Sequence, residues 1–316
     1  MSNAPRIDPD LWRPAARPHG LAARARTLHA IRTFFAKRQV LEVETPILSR
    51  HAAPDEAIDP LTCQGWHLST SPETAMKRLL AAGSGPIFQI TRAFRAAEYG
   101  RLHNPEFTML EWYQPGWQLH DLMHETTQLV QEILGAMPVT TFSFAAAFRH
   151  FTGLDPFLAS DSELRTALPD SSPPDLKRME MLDLLLTETV EPGFQTTGGM
   201  VLLTHFPAER AAMAQIDPGP PPTALRFELY VHGIELVNGY QELTDAAEQA
   251  CRLEHANHQR HLLGKPKLPV DPWFLAALHA GIPMCAGAAL GVDRLIMLAM
   301  GATDIAETLA FPYDRA

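Results

Sequence analysis

The strand-like runs of this chain are joined by loops and turns, with few helices between them, and this limits the folds open to it. Residues 87–91 and 106–113 read as strands, and the stretch between them has charges but no apolar period. Residues 225–231 and 234–238 meet at His232-Gly233, a two-residue turn. Strands joined this way pair antiparallel, because a parallel pair needs a crossover, usually a helix. The expectation is an α+β fold with an antiparallel β-sheet flanked by helices.

The helices come at the ends and in the middle. Leu21, Leu28, Ile31 and Phe35 recur at helical spacing, then Leu41-Glu42-Val43-Glu44 alternates as a strand until Pro46. Residues 50–65 read as a loop, 67–70 as a short strand and 73–80 as a short helix closed by Gly83. A helix over 119–134 puts Leu122, Leu129, Val130 and Ile133 on one face, with Gly135 after it. Residues 140–216 read as an α-rich insertion, with a capping box at Ser160-x-x-Glu163, a helix over 179–190 and a strand over 200–205. Residues 217–223 hold four prolines and read as a mobile surface loop. A polar helix over 245–263, a small-residue strand over 285–292 and a helix from 293 complete the chain. The organisation expected is an N-terminal arm over 1–18 and one catalytic domain over 19–316, with no internal repeat.

Composition excludes several classes of function. With 46% hydrophobic and 20% charged residues in 316, the chain can bury a large core. A net charge of -10 argues against non-specific nucleic-acid binding. Residues 1–50 run the other way, with nine Lys or Arg against four Asp or Glu, which fits either an acidic partner or a solvated helix face. Cys63, Cys251 and Cys285 form no C-x-x-C, which fits a reducing cytosol and argues against structural zinc or disulfides. The start of the chain shows no apolar signal-peptide core. The one long apolar stretch, 282–302, has Asp293 and Arg294 at its middle, so a membrane span is not expected. The expectation is a cytoplasmic protein.

Neither a G-x-x-x-x-G-K-[ST] nor a G-x-G-x-x-G motif opens a helix, so any nucleotide must be held by other means. The run from Phe94 to Tyr113 gathers Arg95, Arg101 and His103 on a long loop, as a phosphoryl group requires. On the strand that follows, Phe107, Met109, Glu111 and Tyr113 share a face, so an aromatic ring and a carboxylate stand together. The hairpin from Arg226 to Glu242 carries Glu228, Glu235 and Glu242 beside Asn238, hard oxygen donors of the kind that suit Mg²⁺. In Gly287-Ala288-Ala289-Leu290-Gly291-Val292-Asp293-Arg294, small residues let a flat ligand approach the backbone, and Arg294 is placed to stack on a base. A surface hairpin, solvated acids and a close-packed strand–helix corner are the plainer readings of the three.

Taken together and in this order, the three pieces resemble the signature motifs of class II aminoacyl-tRNA synthetases. The helix, strand and Pro46 resemble the first motif, usually a dimer interface. Phe94 to Tyr113 resembles the second motif and Gly287 to Arg294 the third. His103-Asn104-Pro105-Glu106-Phe107-Thr108-Met109 and Asn238-Gly239-Tyr240-Gln241-Glu242-Leu243 narrow the likeness to lysyl-tRNA synthetase. The chain lacks that enzyme's upstream anticodon-binding OB-fold. In this it is similar to a bacterial paralogue family that joins β-lysine to a lysine of elongation factor P.

The resemblance implies ATP and Mg²⁺ as cofactors, β-lysine or lysine as substrate, elongation factor P as acceptor, a homodimer, and no reading of a tRNA anticodon. It implies that Arg95 holds the α-phosphate, with Arg294 as the second catalytic guanidinium. His103, Asn104, Glu235 and Leu236 would touch ATP, and Phe107 and Arg294 would sandwich the adenine over Gly291. Glu228 and Glu235 would bind Mg²⁺. Glu73, in Ser71-Pro72-Glu73, would take the amino group nearer the carboxylate, and Glu242 and Tyr113, with Asn238 nearby, the terminal ammonium.

Two positions depart from the synthetase pattern. Where the synthetase has Arg-Asn-Glu, this chain has Arg95-Ala96-Ala97, and Glu98 is then the candidate for the adenine amino group. Ala289 stands where lysyl-tRNA synthetases carry Gly, and its methyl group narrows the pocket in favour of β-lysine. Two other readings stay open on the sequence: an inactive paralogue that only binds lysine or a partner, and a truncated synthetase-like enzyme acting on tRNA or a small molecule.

Overall fold

A computed structural model describes residues 12–316 of the protein. Of the arm expected over 1–18, residues 1–11 lie outside the described residues. The remainder is docked, because Ala15 N and Ala16 N donate to the carbonyls of Ala310 and Leu309. The first helix, α1 (Pro18–Lys37), has its proline at the first turn, where a missing N–H costs nothing. Next come β1 (Leu41–Glu42) and a small three-stranded sheet of β2 (Leu48–Ser49), β3 (Thr62–Cys63) and β4 (Trp66–Leu68). Helix α2 (Glu73–Ala81) leads to the long hairpin of β5 (Ile87–Phe94) and β6 (Glu106–Pro115). Helix α3 (Leu119–Leu134) then crosses behind it.

The middle of the chain contains β7 (Val139–Ser143), α4 (Phe144–Thr152), α5 (Asp161–Ala167) and α6 (Arg178–Leu185). The capping box at Ser160 and Glu163 forms, each side chain meeting the other's backbone N–H. The helix expected over 179–190 changes winding instead of running through. After α6 it passes into a π turn at Leu186–Val190 and then α7 (Glu191–Gly193), which contains Pro192. Then follow β8 (Met200–Pro207), β9 (Ile216–Asp217), β10 (Thr223–Val231) and β11 (Ile234–Gln241). Helices α8 (Ala246–Leu262) and α9 (Pro272–Ala280), strand β12 (Cys285–Gly291) and helix α10 (Val292–Ala299) close the fold.

Nine strands make the main sheet, in the order β1-β5-β6-β12-β11-β10-β8-β7, with β9 beside β10. Its interior is antiparallel as expected, but both ends are not: β1 pairs parallel with β5, and β7 with β8. Both parallel pairs are made by crossovers, through α2 and through α4–α7, and the second crossover is what the insertion amounts to. The insertion therefore gives two strands to the sheet edge as well as helices.

Pleating sorts the residues of the central strands between two faces. One face packs Leu110 and Trp112 of β6, and Ala286, Ala288 and Leu290 of β12, against α1, α3 and α10. A second core joins α4–α6 to β8 and β10, and a third joins α2 and α9 to Ile87, Tyr113 and Cys285. What remains is the opposite face of β6, β12 and β11, which opens into a cleft. No helix among the described residues is long and apolar enough to cross a membrane.

Candidate active site

The cleft has a volume of about 1260 Å³, room for more than one small molecule side by side. Ser71, Glu73, Arg95, Glu98, His103 and Asn104 line it from the elements around β5. Phe107, Tyr113, Glu235, Leu236, Asn238 and Glu242 line it from β6 and the β11 region, and Ala289, Gly291 and Arg294 from β12 and α10. Fifteen of the seventeen residues singled out through the resemblance thus share one cleft, whereas Arg101, read as a third phosphate donor, does not line it. Pro72 and Glu228 do not line it. Pro72 is buried at the start of α2, between Ser71 and Glu73.

Three strands meet at the floor. Gly287 pairs with both Tyr113 and Tyr240. A Cβ on Gly287 would stand 2.3 Å from Tyr113 Cε1 and 2.6 Å from Glu242 Oε1, so only glycine fits. Ala289, one pleat along, lies between Asn238 and Glu111 in the register.

One end of the cleft is acidic. Glu73 opens α2, and one turn later Lys77 is wholly buried with its Nζ 2.7 Å from Glu73 Oε1 and 2.5 Å from Glu242 Oε2. Among the described residues Glu242 Oε2 has no hydrogen-bond donor besides the Lys77 ammonium. Burial by itself would strip the proton from Lys77, but Glu242 and Glu73 outweigh it and hold the ammonium charged. Burial pushes Glu242 up to about 8, against the pull of Lys77. Glu111 accepts from Ser71 Oγ at 2.7 Å and from the Tyr113 hydroxyl at 2.6 Å. Burial, and then Glu73, raise its pKa to about 7. Buried carboxylates with so little cationic company are poised to receive a cation. Asn238 Oδ1 accepts from Arg226 Nε at 3.1 Å, so the amide is oriented from below.

The other end is basic and aromatic. Arg95 lies 5.1 Å above the Phe107 ring, and its Nη1 is 3.6 Å from Glu98 Oε1. Ala97 is left-handed (φ 62°), and the chain turns there so that Glu98 meets Arg95. Arg294 donates from Nη1 to the Glu235 carbonyl at 2.7 Å and from Nη2 to His103 Nε2 at 2.6 Å. Burial, and then the Arg294 charge, keep the His103 ring below its usual pKa, so it accepts as the neutral imidazole. The loop is pinned from behind. Asn104 Oδ1 accepts from Tyr313 N at 3.0 Å, and Arg101 donates to the Thr303 carbonyl at 2.9 Å. Asn104 therefore fastens the loop to the C-terminal segment while it borders the cleft.

For a divalent ion the donor set is two carboxylates. Glu235 is part-exposed, with Oε2 3.6 Å from Arg294. Glu228 is buried, and its oxygens accept from Arg226 and from the Tyr230 hydroxyl, which leaves each one lone pair. Among the described residues no group of three or more His, Cys, Asp or Glu stands ready to hold a metal. Mg²⁺ takes one or two carboxylates and completes its shell with phosphates and water, and of this pair Glu235 lines the cleft while Glu228 stands behind it.

Lys77, buried beneath the cleft, was not singled out from the sequence, and the parts that Glu111, Gly287 and Tyr240 play were only partly legible there. Lys77 was legible only as an i,i+4 partner of Glu73, a pattern more often found on exposed helices. Glu111 shares its strand face with Phe107 and Tyr113, but burial and its two hydroxyl donors belong to the tertiary structure. Gly287 and Tyr240 owe their importance to strand register.

Over residues 10–315 the chain matches the family of tRNA synthetases class II (D, K and N). It is also similar to proteins named elongation factor P–(R)-β-lysine ligase. That of Salmonella gallinarum (strain 287/91 / NCTC 13346) is 46% identical over 320 residues, covering 96% of this chain and 98% of the relative. That of Klebsiella pneumoniae (strain 342) is 45% identical, with the same coverage.

Proposed function

The chain belongs to the class II tRNA synthetases (D, K and N), and on that premise we propose that it activates (R)-β-lysine with ATP and transfers it to a lysine ε-amino group of elongation factor P. One observation carries the reading. Arg95 and Arg294 stand in the same cleft as Glu73 and Glu242, so an anionic ligand and a diamino acid would lie end to end. The names of relatives that match nearly their whole length supply the acceptor.

In the first step the amino acid carboxylate attacks the α-phosphorus of ATP. A P–O bond forms to the carboxylate oxygen, and the bond to the bridging oxygen breaks to release pyrophosphate. Arg95 and Arg294 spread the charge of the phosphoryl oxygens and hold them in line. Phe107 and the Arg294 plane take the adenine, with Gly291 beneath it. Glu73 takes the amino group nearer the carboxylate, while Glu242 and Tyr113 take the terminal ammonium, so that the attacking oxygen is positioned. Mg²⁺ held by Glu235 and Glu228 would neutralise phosphate charge. In the second step the acceptor amine attacks the carbonyl carbon of the mixed anhydride, AMP leaves, the amine gives up its proton, and an amide remains.

The charged groups this chemistry needs are all present, which disfavours an inactive paralogue. The remaining parts of the proposal are a single catalytic domain over 19–316, a cytoplasmic location and a homodimer formed through the α1–β1 region. Leu41 on β1 and Leu48 on the following β2 are exposed at 56% and 44%, as interface residues would be in a single chain. ATP–pyrophosphate exchange tests the activation step. Label should enter ATP only when β-lysine is present, and exchange that ignores β-lysine would overturn the assignment.

A further inference from the structure

Among the described residues Lys77 is the one fully buried ammonium at the acidic end of the cleft, and the reaction as proposed gives it no task. It comes from the middle of α2, and its Nζ lies between Glu73 (2.7 Å) and Glu242 (2.5 Å). Among the described residues its one other neighbour at hydrogen-bonding range is Met213 Sδ, at 3.7 Å. The groups that face this centre are Glu111 and Tyr113 from β6, Tyr240 and Glu242 from the β11 region, Cys285 from β12, and Glu73 on its own helix. Counting formal charges gives three carboxylates against one ammonium, a net of −2. That is the complement of an amino acid with two ammonium groups whose carboxylate points away to the phosphates. Without Lys77 the same pocket would hold −3, and a buried carboxylate with no countercharge takes up a proton.

We propose that Lys77 is a positioning residue that fixes Glu73 and Glu242 in place and cancels one of the three pocket carboxylates, so that the site is matched to a diammonium substrate. The inference rests on the amino acid site assigned above. Met213 and the buried position of Lys77 make the ammonium inaccessible to substrate, so its influence passes through the two carboxylates. Physically, the device resembles a fixed counter-ion. It keeps Glu242 able to ionise near neutral pH when a substrate ammonium arrives, where burial alone would hold it protonated.

The test uses the full chain with Lys77→Met, which keeps the length of the side chain and removes the charge. A site that must be ionised to accept an ammonium shows an apparent KM that rises tenfold for each unit its pKa stands above the pH. Glu242 stands near 8 with Lys77 in place, and losing the countercharge should raise it by about one unit or more. The expected result is a KM for β-lysine about tenfold higher at pH 7, shrinking to about twofold at pH 9, with kcat and the KM for ATP unchanged. A KM for β-lysine that stays at the wild-type value at pH 7, or that rises equally at every pH, would overturn the proposal. If Lys77→Met does not fold, Lys77→Arg decides. With the charge kept, the midpoint of its KM–pH profile should stay at the wild-type value, and a midpoint displaced by a unit would refute the role of charge. Wild-type protein without any β-lysine-dependent exchange would instead reject the underlying substrate assignment, so the two failures are distinguishable.

Discussion

Replacing Gly287 by alanine should empty the amino acid site without touching the nucleotide site. The new Cβ would lie 2.3 Å from Tyr113 Cε1, 2.4 Å from Cδ1 and 2.6 Å from Glu242 Oε1. Carbon atoms rest at about 3.5–4.0 Å, so the tyrosine ring must retreat by more than about 1 Å. It has little room to do so, because Tyr113 is 2% exposed and its hydroxyl is fixed on Glu111. Gly287 has no positive φ, so the cost is one of space, not of backbone. Overpacking of this kind costs roughly 1–3 kcal/mol, or a melting point lower by a few degrees in a domain of this size. A misplacement of about 1 Å at a substrate-positioning group can cost about 10²-fold. In the exchange assay the KM for β-lysine should therefore rise by up to about 10²-fold while the KM for ATP stays within twofold. A variant with wild-type melting point and wild-type KM for β-lysine would refute the placement of Tyr113 and Glu242 against β12.

Three further outcomes are expected. Glu242→Gln removes a buried charge facing the substrate and should raise the KM for β-lysine by about 10²-fold or more, read by exchange kinetics at pH 7. Ala289→Gly removes one methyl between Asn238 and Glu111, and the ratio of kcat/KM for lysine over β-lysine should rise by about tenfold. Stability of the ligand-free protein should fall as pH rises from 6 towards 8.5. In the native state Glu111 keeps its proton to about 7, and Glu242 and Glu191 keep theirs to about 8, against a usual 4.5. Between those values the native state binds more protons than the unfolded chain, so this contribution is complete below about 4.5 and is lost as pH passes the raised values. Thermal melts across that range check the sign, and a melting point that climbs towards pH 8.5 contradicts it.

The sheet interior was legible because its strands alternate and turn locally, as at His232-Gly233. The parallel edges were not, because the β7–β8 pairing depends on a crossover through the insertion that periodicity alone does not reveal. Arg95, Phe107 and Arg294 stand out by residue type and order. Lys77 does not, since a lysine in a helix usually marks a solvated face, and Glu111 was legible only as a carboxylate sharing a strand face with Phe107. Only the packing of α2 against β6 and β12 turns the two into buried charges. Asn104 was read as a neighbour of the nucleotide, and the structure adds that its side chain fastens the loop to Tyr313.

Intact-mass spectrometry of purified elongation factor P, incubated with this protein, ATP and (R)-β-lysine, tests the central claim directly. The account predicts that one lysine of elongation factor P gains the mass of a single β-lysyl residue, and that omitting either ATP or β-lysine abolishes the gain. Elongation factor P left at its original mass, while the protein consumes ATP in the presence of β-lysine, would contradict it.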